Sequence, residues 1–149
     1  MSNGKPELIA IEHDDYHAQH IGLTPNGHQF FLTNPFEPAR PDIAGCEYIT
    51  LFLFDSAGNL VDSEIEELGP RGPYSEDDAN KKYYEKLEKL ENVTFQRIEV
   101  KPFSVDHKGT NIGLIVREPE DDGDVWAVEL LPCNYMAFFE PWDSGYYDT

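Results

Sequence analysis

Residues 20–32 read HIGLTPNGHQFFL, and the fold turns on how they pair. Asn26-Gly27 suits a two-residue type I′ turn, because both central positions need positive φ and these residues accept it at least cost. Around such a turn Leu23 opposes Phe30, Gly22 opposes Phe31 and Ile21 opposes Leu32. Ile21, Leu23, Phe30 and Leu32 then share one face, and Phe31 covers the gap left by Gly22. The segment is read as an antiparallel hairpin with one face toward a core.

A second hairpin follows downstream. Residues 34–46, NPFEPARPDIAGC, carry Pro35, Pro38 and Pro41, which fix φ, remove amide donors and keep the stretch out of regular structure. Residues 47–65 read EYITLFLFDSAGNLVDSEI. The run 48–54 is apolar on both sides, as a central strand requires. Gly58 closes a turn over 55–59, and 60–65 alternates back. After GPRGP at 69–73, Ser75 opens a capping box with Asp78 three residues on. Glu76, Asp77 and Asp78 suit the positive end of a helix, and Lys81, Lys82, Lys86 and Lys89 its later turns. Tyr83, Leu87 and Leu90 at i, i+4 and i+7 form an apolar stripe, so one helix over about 76–90 is expected to cover a sheet, its Lys/Glu surface read as a solvated face. Strands are expected again at 94–103, 111–117, 125–130 and 135–139. The order argues an α+β single domain over 1–149, with an antiparallel sheet of about 6–8 strands built from hairpins under one main helix.

Composition narrows the function. Twenty-nine acidic residues against eleven basic ones give a formal net charge of −18. Such a surface repels phosphates, so no direct nucleic-acid binding is expected. No apolar run approaches the roughly 20 residues of a membrane span and the start, MSNGKPELIA, has no apolar leader, so a cytoplasmic chain without membrane contact is expected. Cys46 and Cys133 lie far apart with no metal spacing, and are read as free thiols. Nucleotide-binding loops, nucleophile elbows and zincin motifs do not occur, and no cofactor is expected. Acid clusters at 62–67, DSEIEE, and at 118–124, EPEDDGD. These clusters suit either steering toward a basic protein or simple solubility.

Two stretches carry the candidate sites. Residues 13–20, HDDYHAQH, hold three of the five histidines. As a helix they would bring His13, His17 and His20 onto one face within about 60°, which could hold zinc. As a loop running into the hairpin they would be dispersed, and this is the favoured reading, since no apolar helical stripe backs the segment. A metal site using His13, His17 and His20, with Asp15 beside them, remains the rival. The tail at 134–149, NYMAFFEPWDSGYYDT, interleaves Tyr135, Phe138, Phe139, Trp142, Tyr146 and Tyr147 with Glu140, Asp143 and Asp148. It reads either as core, with Tyr135, Ala137 and Phe139 on one side of a last strand, or as a patch for a basic partner.

Three stretches, YHAQHIGLTPNGHQFFLTNPFEP at 16–38, LFLFDSAGNLVDSEIEELGPR at 51–71 and VELLPCNYMAFFEPWDSGYYDT at 128–149, together resemble a family of small acidic bacterial proteins named formate hydrogenlyase regulatory protein. The resemblance spans nearly the whole chain. It implies regulation through protein contact, by opposing a transcriptional activator, and it supplies no catalytic residues. In size and charge the chain also resembles, in kind, the immunity proteins of bacterial toxin systems. The leading expectation is a non-enzymatic protein that binds and inhibits a basic partner, a toxin or a regulator. The expected contacts are Asp121, Asp122, Asp124, Trp142, Asp143 and Tyr146. A metal-binding protein or metal-dependent enzyme built on the histidines is the alternative, and a salt-adapted structural domain a third reading.

Overall fold

Strand β5, Cys46–Phe54, is the axis of the molecule. In this computed structural model, which describes residues 6–37, 41–42, 45–70, 76–132 and 136–149, β5 pairs antiparallel with β3 (Gln29–Thr33) along one side and with β6 (Leu60–Gly69) along the other. β2 (His20–Leu23) extends the sheet from β3, and β7 (Thr94–Phe95) pairs with β2 beyond it. The short β4 (Phe36–Glu37) adds to the start of β5. A second antiparallel sheet runs in the order β12 (Ala137–Phe138), β11 (Ala127–Leu131), β10 (Thr110–Arg117) and β9 (Phe103–His107). β1 (Ile9–Ile11) and β8 (Ile98–Val100) form a two-stranded third sheet. Helix α1 spans Glu76–Lys89. The protein is an α+β domain of antiparallel strands with one main helix, as the sequence predicts. Among the described residues the strands are more numerous than expected, and they fall into three sheets.

The two faces of β5 do different work, because successive side chains point to opposite sides. Phe52 meets Phe31, and across the inter-sheet space both Phe52 and Phe54 meet Phe103, whose ring centroid lies 4.6 Å from that of Phe52. This face joins Ile11, Leu114 and Phe138 in the main core. Ile49 and Leu51 point the other way and, with Phe30 and Leu32, receive Tyr83, Leu87 and Leu90 of the helical stripe. The stripe is where the spacing puts it. Its capping residue, Ser75, lies outside the described residues.

The first hairpin forms, but in a register one residue away from the expected one. Ile21 pairs with Phe31, Gly22 with Phe30 and His20 with Leu32. The cause is Pro25. Its fixed φ suits the second position of a type I turn, so the turn runs from Thr24 to Gly27, with Gly27 N donating to Thr24 O at 3.0 Å. Gly27 then takes φ +91° and closes a three-residue loop. The slip moves Ile21 and Leu23 to the face opposite Phe30 and Leu32. Ile21 and Phe31 enter the main core, while Phe30, Leu32 and His20 face the helix. Gly22 is not covered by Phe31 but pressed by β7: a Cβ there would lie 1.9 Å from the Thr94 carbonyl oxygen.

The second hairpin closes on the same construction. Asp55 Oδ1 accepts Ala57 N and Asn59 N, as Thr24 Oγ1 accepts His28 N, and Gly58 takes φ +91°. Residues 94–103 do not make one strand. Gln96 and Arg97 break the run between β7 and β8, and Pro102, which has no amide donor, precedes β9. Buried Gln29 ties the hairpin to β8: its Nε2 donates to the carbonyls of Asp55 and Glu99, and its Oε1 accepts Glu99 N. Among the described residues no helix is long and apolar enough to cross a membrane.

The helical lysines are not a merely solvated face. Lys82, Lys86 and Lys89 repeat at i, i+4 and i+7 beside the apolar stripe. Glu64 and Glu66 alternate along β6 opposite Leu51 and Ile49, on the face that carries the helix. Lys86 Nζ reaches Glu64 at 3.2 Å and Glu66 at 3.5 Å, Lys89 reaches Glu64 at 3.1 Å and Lys82 reaches Glu66 at 3.4 Å. Glu67 pairs with His107 and Lys108, each at 2.8 Å. Of the two acidic clusters, the first is thus largely neutralised inside the fold.

Candidate functional site

Residues 12–19 leave β1, turn, and deliver His20 into β2. The loop is organised by Asp14. Its Oδ1 accepts Tyr16 N at 2.9 Å and Ala18 N at 3.0 Å, an Asx-type turn, and its Oδ2 accepts the Tyr147 hydroxyl at 2.6 Å. The Tyr147 hydroxyl in turn accepts His17 N at 3.0 Å. Burial opposes the charge on Asp14, but the Tyr147 hydroxyl and the two amides outweigh it and hold the carboxyl below its ordinary value. Burial and the Asp14 partner push the Tyr147 phenol up to about 12. The pair is therefore a phenol donating to a carboxylate at neutral pH.

The tail is what this loop is tied to. Ala10 N donates to Trp142 O and Glu12 N to Gly145 O, so the tail lies along β1. Asp148 exchanges two backbone hydrogen bonds with Ala137. Arg97 bridges both segments, with Nη1 on Glu12 Oε2 at 3.2 Å and Nη2 donating to Asp143 O at 2.5 Å. Gly145 permits this approach: a Cβ there would lie 3.0 Å from Glu12 Cβ and 3.1 Å from Arg97 Nη1. Phe138 is buried and Trp142 packs half-buried against the core, whereas Tyr146 is 74% exposed. The phase of the last strand is the reverse of the expected one: Met136 and Phe138 enter the core, and Ala137 and Phe139 are only half-buried. Tyr135 and Cys133 lie outside the described residues, and Cys46 is a half-buried free thiol.

The three imidazoles are dispersed, as loop followed by strand implies. His13 Nε2 lies 2.9 Å from Gln19 O and its ring stacks on Phe95. His17 stacks on Tyr16 at 3.8 Å between centroids. His20 sits among the rings of Tyr83, Tyr84 and Phe95, with Nδ1 2.6 Å from the Tyr83 hydroxyl. Burial lowers the pKa of His17, against the pull of Asp14, and lowers that of His20 together with His13. Among the described residues no group of three or more His, Cys, Asp or Glu side chains is arranged to hold a metal ion.

Two hollows flank the loop. A cleft of about 670 Å³ opens between the loop, the sheet and α1, lined by His17, His20, Asn34, Asn80, Tyr83 and Tyr84 among others. A smaller hollow of about 320 Å³ lies between the loop and the tail, lined by Glu12, His13, Asp14, Tyr16, Gly145, Tyr146 and Tyr147, with Thr149. Tyr16 and Thr149 border both.

The expected partner contacts divide into two kinds. Asp121 and Asp122 are exposed on the loop between β10 and β11. Asp124 instead holds that loop together. Its Oδ2 accepts Arg117 Nη1 and Glu120 N, each at 3.0 Å, and its Oδ1 accepts Val125 N at 2.8 Å. The amides of Glu120 and Val125, aided by Arg117, outweigh desolvation and hold its pKa low. Asp143 is exposed, with its carbonyl on Arg97, and Tyr146 is the most exposed aromatic of the tail among the described residues. Sequence reasoning missed Asp14, Arg97 and Tyr16. Asp14 had a signal, an Asx residue two and four positions before the amides it receives. Arg97 had none, because its partners lie at both ends of the chain. The chain matches no protein-family model, no curated protein and no solved structure.

Proposed function

We propose that this chain is an acidic binding protein that docks on a basic protein and blocks it, in the manner of an immunity protein or an anti-activator. The observation that carries this reading is the distribution of charge. Lys82, Lys86, Lys89, Arg97, Lys108 and Arg117 are all engaged by the chain's own carboxylates. With these cations engaged and a net charge of −18, the chain presents mainly carboxylate to solvent. Such a surface draws a cationic partner by long-range attraction and then needs aromatic burial to hold it. Asp121, Asp122, Asp143 and Tyr146 carry the encounter in this reading, Trp142 supports the tail from beneath, and Asp124 shapes its loop. The resemblance of the three long stretches to the regulatory family points in the same direction, toward control by protein contact.

The test is capture at low salt from the native host with untagged protein, followed by binding kinetics on the captured partner. The expected partner is basic and binds at near-unit stoichiometry. Its association rate is expected to fall by about tenfold or more as the Debye length shrinks from about 30 Å at 0.01 M to about 8 Å at 0.15 M salt. An association rate independent of salt removes charge steering from the account.

A further inference from the structure

Tyr16 and Tyr146 are the two most exposed large aromatic side chains among the described residues, at 63% and 74%. They are 130 positions apart in the chain, yet both border the same hollow of about 320 Å³. Exposed aromatics are ordinarily scattered, and a pair brought to one concavity is unusual enough to call for an occupant. The lining also carries two carboxylates, Glu12, which Arg97 engages, and Asp14. Asp14 is fixed by two amides and a phenol, and those donors keep it ionised. Two exposed tyrosine rings beside an ionised carboxylate disfavour an anion. They suit a planar cation, which gains from ring faces and carboxylate together. The hollow sits at the low end of ligand-site volumes, about 300–1,000 Å³, and so suits one side chain better than a large small-molecule ligand. The chain itself displays the chemistry next door, where the Arg97 guanidinium is held between Glu12 and the Asp143 carbonyl.

We propose that this hollow is the anchor site for an arginine side chain of the basic partner, its guanidinium stacked against Tyr16 and Tyr146 beside Asp14, Glu12 being already held by Arg97. The proposal rests on the acidic-binding reading and gives it a docking point. Lysine fits less well, because its compact, strongly hydrated ammonium stacks poorly on aromatic rings. The free protein holds the loop–tail geometry through the Asp14–Tyr147 hydrogen bond, so the anchor site exists before binding, which favours fast capture.

The experiment titrates the full isotope-labelled chain with tetra-arginine and tetra-lysine peptides at low salt, followed by NMR. Tetra-arginine is expected to bind more tightly and to shift the signals of residues 12–16 and 145–147. Tyr16→Ala and Tyr146→Ala are each expected to weaken it by about 3- to 30-fold, the range of one cation–π contact, and to erase the preference over lysine. Tyr84→Ala, at an exposed tyrosine bordering the other cleft, is expected to change neither. Equal binding of both peptides, unmoved by the tyrosine variants, overturns the anchor site and leaves general acidic binding standing. Tight arginine binding whose shifts map elsewhere overturns it as well. Binding of neither peptide at low salt overturns the acidic-binding reading itself, and the anchor with it.

Discussion

Residues 62–67 lie on strand β6 beneath the lysines of α1, whereas residues 118–124 form the loop between β10 and β11. Both stretches are dense in carboxylates. In β6, alternation turns Glu64 and Glu66 to one face, and that face meets a lysine stripe with helical spacing. In the loop there is no alternation, and among the described residues no ion pair reaches Asp121 or Asp122. Arg117 takes Asp124 and Glu129, and the Asp124 carboxylate takes two loop amides, so one acid folds the loop while Asp121 and Asp122 stay exposed. Acid on a strand can be neutralised by a partner element, and acid in a loop is left to act outward. A carboxylate count therefore says little about a binding surface until the secondary structure is known.

Detaching the helix would undo this contrast most completely. Leu87→Ala removes the middle of the stripe that seats α1 on Phe30, Leu32, Ile49 and Leu51. The half-buried position predicts a loss of about 2–3 kcal/mol in chemical denaturation. The ionic contacts to β6 should not hold the helix alone, since exposed pairs contribute about 0–1 kcal/mol each. An unchanged midpoint would mean that charge, not the apolar stripe, fixes the helix.

Next in size is Lys86→Ala. Lys86 touches both Glu64 and Glu66, and its side chain is only 13% exposed. Removing it strips two partly buried carboxylates of their most enclosed partner, and a loss of about 1–2 kcal/mol is expected, between the exposed and buried limits for a broken pair. The same pair sets an acid dependence. Burial opposes ionisation of Glu64, but Lys89 and Lys86 outweigh it, so its pKa is lowered on folding. Its contribution to stability is present above the ordinary glutamate pKa and is lost as pH falls through the lower folded value. Lys86→Ala should flatten this part of the stability–pH curve. An identical slope in wild type and variant would show that the ladder is not what titrates.

Much of this was legible in the chain itself. The helix and its stripe follow from i, i+4, i+7 spacing, and β5 follows from an apolar run with turn signals at its end. The lysine ladder was legible too, at the same spacing one residue earlier, but it needs β6 placed under the helix before it means anything. The hairpin register was lost on one residue. Asn26-Gly27 has the local preference for a type I′ turn, and Pro25 has the stronger constraint, since it fixes φ where a type I turn needs it. At the site, the dispersal of His13, His17 and His20 follows from loop preceding strand. What joins Asp14 to Tyr147 and Arg97 to Glu12 does not follow, because these contacts span 133 and 85 positions and depend on the tail lying along β1. The strand β1 along which the tail lies is three residues long, too short for periodicity to reveal.

The smallest effect on stability is the most informative about function. Asp121→Asn with Asp122→Asn changes two exposed side chains of the loop, so thermal and chemical stability should stay within about 0.5 kcal/mol of wild type. On strand β6 the corresponding change, Glu64→Gln with Glu66→Gln, cuts ion pairs to three lysines and should cost more. On the partner's association rate the order should reverse. The loop variant removes charge that reaches solvent, and slows encounter by about two- to fivefold at low salt, with a shallower salt dependence. The strand variant removes the same formal charge, but from beneath the helix rather than from the exposed loop, and should slow encounter less. If both variants slow association equally, only net charge matters and the loop has no special place in recognition. If the strand variant alone does so, the helix face with its lysine ladder is the surface that meets the partner, and the assignment of the two acidic stretches must be exchanged.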